Sequence, residues 1–291
     1  MTIPLRSPLP WIGGKYYSAP RILAAFPSSN SYDTYVELFG GAAHVLIQKP
    51  RLSHVEVYND LDGDLVNFWM QCRDHAEALE ARCRTLPYSR ELYYAYHYSL
   101  LDRTDLDPLE RAARWFYVLR SSFTGRIRRS PQGWSASTHY CGDAHSYHTA
   151  LDLFHAVQAR FRHVLIDHRD FAEVFKQHNR PRTLIYVDPP YVDVEEYYVH
   201  PFTLADHERL AALLKSSVAS VALSYYPHPL LNDLYPAANW RCVTWEVAKH
   251  SQRGAQTRER ATEMLLCNYA APAVSLWDTS EQAALDWEVS A

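Results

Sequence analysis

Short apolar runs alternate along this chain with longer stretches in which apolar residues recur every three or four positions. The runs at 34–39, 55–58, 164–167, 183–187, 218–223, 242–245 and 264–267 are rich in β-branched, aliphatic and aromatic residues, as buried strands are. Between them the period becomes helical. Leu65, Val66, Phe68, Trp69 and Cys72 mark one apolar face; Phe171, Val174 and Phe175 mark another; Leu210, Leu213 and Leu214 mark a third. Asp107-Pro108-Leu109-Glu110 has a cap, an N1 proline and an N3 acid in register, and its helix carries Ala112, Trp115, Phe116 and Leu119 inward. Thr203 with Asp206 is a second such start, and a further helix is expected over 149–161. Strands alternating with helices predict an α/β fold with a doubly wound, mostly parallel sheet.

The alternation is interrupted once. From Asp64 to about residue 123 the pattern is helical, and from Arg120 to about His148 it loses any period and turns to Gly, Pro, Ser, Arg and aromatics. Phe123-Thr124-Gly125 and Pro131-Gln132-Gly133-Trp134 read as hairpin punctuation. The expected organisation is a sheet domain of residues 1–64 and 150–270, an inserted module of residues 65–149, and a loosely attached acidic tail at 271–291.

Two N-terminal windows hold four of the nine glycines. One is Trp11-Ile12-Gly13-Gly14-Lys15-Tyr16. The other, Gly40-Gly41-Ala42-Ala43, follows the 34–39 run and leads into a helical pattern, as in loops that cradle nucleotide-type cofactors. Asn59-Asp60 ends the next strand, where doubly wound sheets commonly keep an acid for a ribose diol. The lysine window is no phosphate loop: its glycine spacing is too short, and Tyr16 stands where Ser or Thr belongs. At the end of 183–187 stands Asp188-Pro189-Pro190-Tyr191, at the edge where open α/β sheets bind ligands. The prolines cannot donate a backbone N–H and hold an extended turn. One carboxylate, one free carbonyl and one ring together suit a planar amine such as that of a nucleobase.

Bulk properties add limits. A net charge of −4 argues against coating nucleic acid through overall electrostatics, yet Arg120, Arg126, Arg128 and Arg129 crowd one segment, and Arg253, Arg258 and Arg260 another. Five scattered cysteines make no disulfide framework, and His139, Cys141, His145 and His148 match no common zinc spacing, so no metal is expected. No apolar run approaches the ~20 residues that span a bilayer, and Met1-Thr2-Ile3-Pro4-Leu5-Arg6 lacks a signal-peptide pattern. The expectation is a cytoplasmic protein with no membrane partner.

Taken in order, these motifs resemble those of the Dam-type DNA adenine methyltransferases over roughly Pro10 to Tyr269. Pro10 to Lys15, Tyr35 to Ala43, Asn59-Asp60, Asp170-Phe171, Asp188 to Tyr191, Ser224-Tyr225 and Arg260 to Asn268 carry the likeness. It implies a Rossmann-like methyltransferase fold, S-adenosylmethionine (AdoMet) as donor with S-adenosylhomocysteine as product, and adenine N6 in DNA, taken as duplex, as acceptor. It also puts target recognition in the insert. By position, Phe123 falls where the family has an aromatic wedge for base flipping, and Arg128 where it has a base-reading arginine. The sequence departs from the family at Ala43, where glycine is usual, and at Leu38, where proline is common.

The expected site follows. Asp188 and the Pro189 carbonyl accept from the target amine, Pro190 stiffens the turn, and Tyr191 stacks on the extruded base. Trp11, Lys15, Glu37, Phe39, Gly40, Gly41, Ala43, Asp60, Asp170, Phe171 and Asp188 form the cofactor side, with Glu37 and Asp60 at its methionine and ribose ends. Arg120, Phe123, Thr124, Gly125, Arg126, Arg128, Arg129 and Trp134 form the DNA side, through phosphate contacts and base readout. Cytosine N4 or RNA adenine as acceptor, or an idle DNA-binding relative, are the alternatives. A monomer in a bacterial, archaeal or phage-infected cell is expected. A cognate restriction endonuclease remains open, as does the target sequence.

Overall fold

The computed structural model describes residues 4–102, 105–123, 125, 127, 131, 133–136, 142–193, 200, 202–248 and 260–271. The chain begins with α1 (Ala19–Ala25), β1 (Thr34–Glu37), α2 (His44–Gln48) and β2 (Val55–Asn59). Six helices follow: α3 (Gly63–Asp74), α4 (Ala76–Arg84), α5 (Arg90–Leu101), α6 (Pro108–Ser121), α7 (Gly142–Leu151) and α8 (Phe154–Phe161). Alternation then resumes with β3 (Val164–Asp167), α9 (Phe171–His178), β4 (Thr183–Val187), α10 (Leu204–Lys215) and β5 (Ser220–Tyr225). The last elements are α11 (Pro229–Leu234), β6 (Arg241–Ala248) and β7 (Arg260–Cys267).

The sheet has seven strands in the order β3-β2-β1-β4-β5-β7-β6. β4 pairs in parallel with β1 and with β5, and all five of its residues are buried, as a central strand of an α/β sheet requires. β7 runs antiparallel to β5 and to β6. The expected mostly parallel sheet is therefore finished by an antiparallel pair, with β7 between β5 and β6. Apolar pattern alone does not distinguish the two directions, which is why the strands were legible and their pairing was not.

Capping chemistry sets the helix starts as the sequence implies. The Asp107 carboxylate accepts from the Leu109 and Glu110 N–H groups, and Thr203 and Asp206 close a reciprocal capping box. The helix expected over 149–161 is instead two, α7 and α8, with a break at Asp152-Leu153. α7 begins within the stretch that showed no period. α1 and α11 were not anticipated: at 7 and 6 residues they span too few turns for a period to register.

Two compact units are present. The first comprises residues 1–16, 40–48 and 58–170, the second 17–39, 49–57 and 171–291. The first is centred on α6, which buries eight of its residues against α3, α4, α5 and α7. Its core is largely aromatic: Trp69 stacks on Phe161 at 4.7 Å and 7°, and Phe68 on Phe116 at 5.5 Å and 6°. In the second unit Val36, Ile185, Val187, Val221 and Leu223 of the central strands, with Leu38 just after β1, pack with Phe175, Leu210 and Leu214 of α9 and α10; Leu213 is only partly buried there.

A buried ion pair also belongs to the second unit. Lys49 Nζ donates to Glu56 Oε1 at 3.0 Å and to Ser53 Oγ at 3.0 Å, and lies 4.7 Å from the Tyr35 ring centroid. Both side chains are 2% exposed, so neither charge has water to fall back on. Glu56→Leu is expected to destabilise the protein by about 3–5 kcal/mol in urea melts, and a Lys49→Met/Glu56→Leu double variant to regain most of it. A double variant no better than the single one would contradict this account.

Candidate active site

In the first unit the small-residue window folds as a tight loop. Gly40 N–H donates to the Asn59 carbonyl at 2.7 Å, and Ala43 N–H to the Gly40 carbonyl at 2.8 Å. Residue 40 must be glycine: a Cβ there would stand 2.1 Å from the Tyr58 ring. Gly41 has φ +49° and is held at both ends. Its N–H donates to Asp60 Oδ2 at 2.8 Å, and its carbonyl accepts from Tyr58 Oη at 2.7 Å and Trp69 Nε1 at 3.1 Å. Ala43 has φ +55° and is 1% exposed. This is a left-handed backbone, which glycine adopts without the strain that a Cβ brings.

Asp60 organises this loop. Its second oxygen accepts from Asp62 N–H at 2.9 Å. Asp62 caps α3 by accepting from Asp64 and Leu65 N–H. Burial, and then the Asp60 charge, pushes the Asp62 carboxyl up to about 7. Asn59 exchanges two hydrogen bonds with the Arg169 backbone, at 3.0 and 3.1 Å, and so ties the end of β2 to the segment after β3 that carries Asp170.

The N-terminal window lies against the same loop. A Cβ on Gly41 would stand 2.8 Å from Trp11 Nε1, and the Trp11 ring meets Trp115 at 6.4 Å. Lys15 is buried and donates to the Gly13 carbonyl at 2.7 Å. Burial, then Lys15 and Arg6, brings His44 down to about 4, so it is neutral at physiological pH.

In the second unit Glu37 ends β1 in register with Tyr186 of β4, and Asp188 follows one residue after β4. Glu37 is 2% exposed and accepts from Tyr35 Oη at 2.8 Å. Tyr186 Oη and Ser224 Oγ share a hydrogen bond of 2.9 Å. Tyr191 is buried, donates its hydroxyl to Glu263 of β7, and meets the Tyr226 ring edge-on at 4.7 Å and the Tyr225 ring at 5.3 Å. Burial first, and then the Asp188 carboxylate, drives the phenols of Tyr186 and Tyr191 far above their ordinary range. Both stay neutral donors. Phe39, Phe171 and Phe202 form an aromatic trio with centroids 5.4–5.8 Å apart, and the Arg209 guanidinium lies 4.2 Å over Phe171.

The hairpin after α6 belongs to the first unit. Ser122 bridges to Trp134, Phe123 N–H donates to the Gly133 carbonyl at 2.9 Å, and Gly125 has φ +64°. Phe123 is 55% exposed, unusual for a phenylalanine. Trp134 packs on Tyr88 at 5.4 Å. Arg120 points into the protein: it donates to the Ser146 carbonyl and hydroxyl at 2.5 and 2.7 Å and to the Pro8 carbonyl at 3.4 Å, and burial brings its pKa down to about 10. Thr124, Arg126, Arg128 and Arg129 lie outside the described residues, as does most of the 271–291 tail.

Several contributors carried little signal in the sequence. Tyr58 and Trp69 read as core, and nothing in the sequence singled out Asp62. Glu263 entered the sequence reading only as a member of the Arg260 to Asn268 motif, with no role of its own.

A mostly parallel seven-stranded sheet with flanking helices is the Rossmann-like fold of an AdoMet-dependent methyltransferase. The chain belongs to the D12 class N6 adenine-specific DNA methyltransferases, whose family model matches residues 11–248. It is 26% identical over 285 residues to the type II methyltransferase M1.LlaDCHI of Lactococcus lactis subsp. cremoris, covering 92% of this chain and 96% of that protein. It is 25% identical over 287 residues to a DNA adenine methylase of Haemophilus influenzae, covering 88% and 91%. The acceptor is accordingly adenine N6 in DNA, with the base flipped out of the stack as is typical of the family. Among the described residues, no helix is long and apolar enough to cross a membrane.

Two expectations follow from the loop. Relief of the left-handed strain makes Ala43→Gly more stable by about 0.5 kcal/mol, whereas Ala113→Gly within α6 loses about 1 kcal/mol; chemical denaturation reads both signs. The second concerns pH. Folded Asp62 keeps a proton that the unfolded chain has lost, so stability falls as pH rises from the ordinary carboxylate range through about 7. Asp62→Asn keeps the cap acceptor and should exceed the parent by about 1–3 kcal/mol at pH 8, with no gain at pH 4. Parallel stability curves for the two proteins would refute the assignment.

Proposed function

We propose that Asp188 is the group that makes adenine N6 reactive in this enzyme. Its carboxylate and the Pro189 carbonyl accept the two amine hydrogens, drawing the nitrogen towards sp³ and aiming its lone pair. The observation that carries this is the place of Asp188, one residue past the fully buried strand β4 and beside the buried phenols of Tyr186 and Tyr191. In such low-dielectric surroundings a hydrogen bond to a carboxylate is strong. Pro190 keeps the turn rigid, and Tyr191, fixed by Glu263, is a wall against the flipped base.

The residues fit AdoMet. The loop at Gly40, Gly41 and Ala43 allows the close backbone approach that a nucleotide-type ligand needs, and a side chain at residue 40 would collide with Tyr58. The Asp60 carboxylate is the acceptor for ribose hydroxyls, and Glu37 the acceptor for the amino acid end. Trp11, Lys15, Phe39, Asp170 and Phe171 complete the cofactor residues. When bound, AdoMet supplies a methyl group already activated by its sulfonium, so the protein's task is alignment and exclusion of water. No strong base is needed, because the proton can leave after transfer.

Residues 65–149 are the target-recognition module, with Phe123 as the wedge into duplex DNA and Arg128 reading a base; Thr124, Gly125, Arg126, Arg129, Arg120 and Trp134 shape or extend that surface. The exposure of Phe123 at the hairpin supports this reading. The type II name of the Lactococcus lactis relative supports a cognate restriction endonuclease as counterpart. We infer a monomer acting in the cytoplasm.

The test is transfer of label from AdoMet to methylation-free duplex DNA, followed by nucleoside analysis. N6-methyladenine is the expected product, and Asp188→Ala should lower kcat by at least about 10²–10³-fold while AdoMet affinity and fold persist. Near-normal turnover would overturn the role of Asp188.

A further inference from the structure

We propose that Arg90 grips a phosphate of the bound DNA beside the recognition hairpin, a contact that no motif of the sequence points to. It rests on the reading of residues 65–149 as the DNA-binding module. Arg90 is the first residue of α5 and is exposed, with its guanidinium carbon 5.2 Å from the centroid of the Trp134 ring. That ring also packs on Tyr88, whose hydroxyl donates to the Ser135 carbonyl at 2.9 Å. Ser135 N–H in turn donates to Ser121 at 2.7 Å, so the stack is anchored at the root of the hairpin. Trp134 bridges Ser122, the residue before the exposed Phe123.

Three features separate Arg90 from an ordinary surface arginine. Arg82, Arg84, Arg111 and Arg114 of the same unit all pair with carboxylates, whereas Arg90 makes no ion pair among the described residues. It stands at the positive end of a twelve-residue helix, where a cation opposes the helix dipole and an incoming anion relieves both. A guanidinium resting on an aromatic face keeps its N–H fork free and oriented, the arrangement that holds a phosphate through two bonds. With a net charge of −4, the protein has to bind DNA through local cations of this kind.

The experiment measures binding of a short duplex carrying the methylation site across a series of KCl concentrations, for the parent, Arg90→Ala, Arg90→Gln and Arg90→Lys. Arg90→Ala and Arg90→Gln are expected to lower the slope of log K against log[salt] by about 0.9, the share of one phosphate. They should weaken target and non-target duplexes alike and raise KM for DNA, with kcat and AdoMet affinity unchanged. Arg90→Lys should restore the slope, since it restores the charge. A parent-like slope in Arg90→Ala, or a loss of AdoMet affinity alongside DNA affinity, would overturn the contact. A parent protein that neither binds nor methylates DNA would instead sink the functional reading, and this contact with it.

Discussion

No side chain fits at residue 40. The chain leaving β1 passes so close to the Tyr58 ring that even a methyl group would overlap it, and the whole loop is built on that approach. Because residue 40 is glycine, Tyr58 can reach past it to the Gly41 carbonyl, and Trp69 adds a second donor to the same oxygen. Asp60 secures the N–H side of Gly41 and, through Asp62, the start of α3. Trp69 also stacks on Phe161, so the loop is tied to the aromatic core of its unit rather than resting on its surface. A loop so constrained has little conformational entropy left to lose.

A different principle governs the residues around β4. Carboxylates that are buried or half-buried, Glu37, Asp188 and Glu263, lie among tyrosines whose phenols are held neutral by burial and by those same charges. Neutral phenols are donors at every physiological pH, and the carboxylates are acceptors. Tyr35 serves Glu37 and Tyr191 serves Glu263. Such an arrangement sets the carboxylate after β4 in surroundings where water competes poorly for hydrogen bonds.

The module that includes the hairpin spends its arginines in two ways. Arg120 is turned inward onto the protein's own carbonyls, where it joins α6, α7 and the N-terminal segment. Arg90, which lies thirty residues earlier and in no basic cluster, is turned outward on an aromatic shelf. Counting positive charge along the sequence therefore misplaces both, because direction is set by packing partners distant in the chain.

What the sequence determined by itself is what depends on near neighbours. Strand positions, the helix starts at Asp107 and Thr203, the small-residue loop and the Asp-Pro-Pro-Tyr turn all follow from periodicity, capping and backbone chemistry within a few residues. The tertiary structure alone decided the rest. It ran β7 antiparallel between β5 and β6, broke the 149–161 helix at Asp152, and set Ala43 in a left-handed conformation. It also paired Asn59 with Arg169 and Tyr191 with Glu263, partners 110 and 72 residues apart. A residue's local pattern records whether it is buried, and its partner across the fold is chosen only when the elements meet.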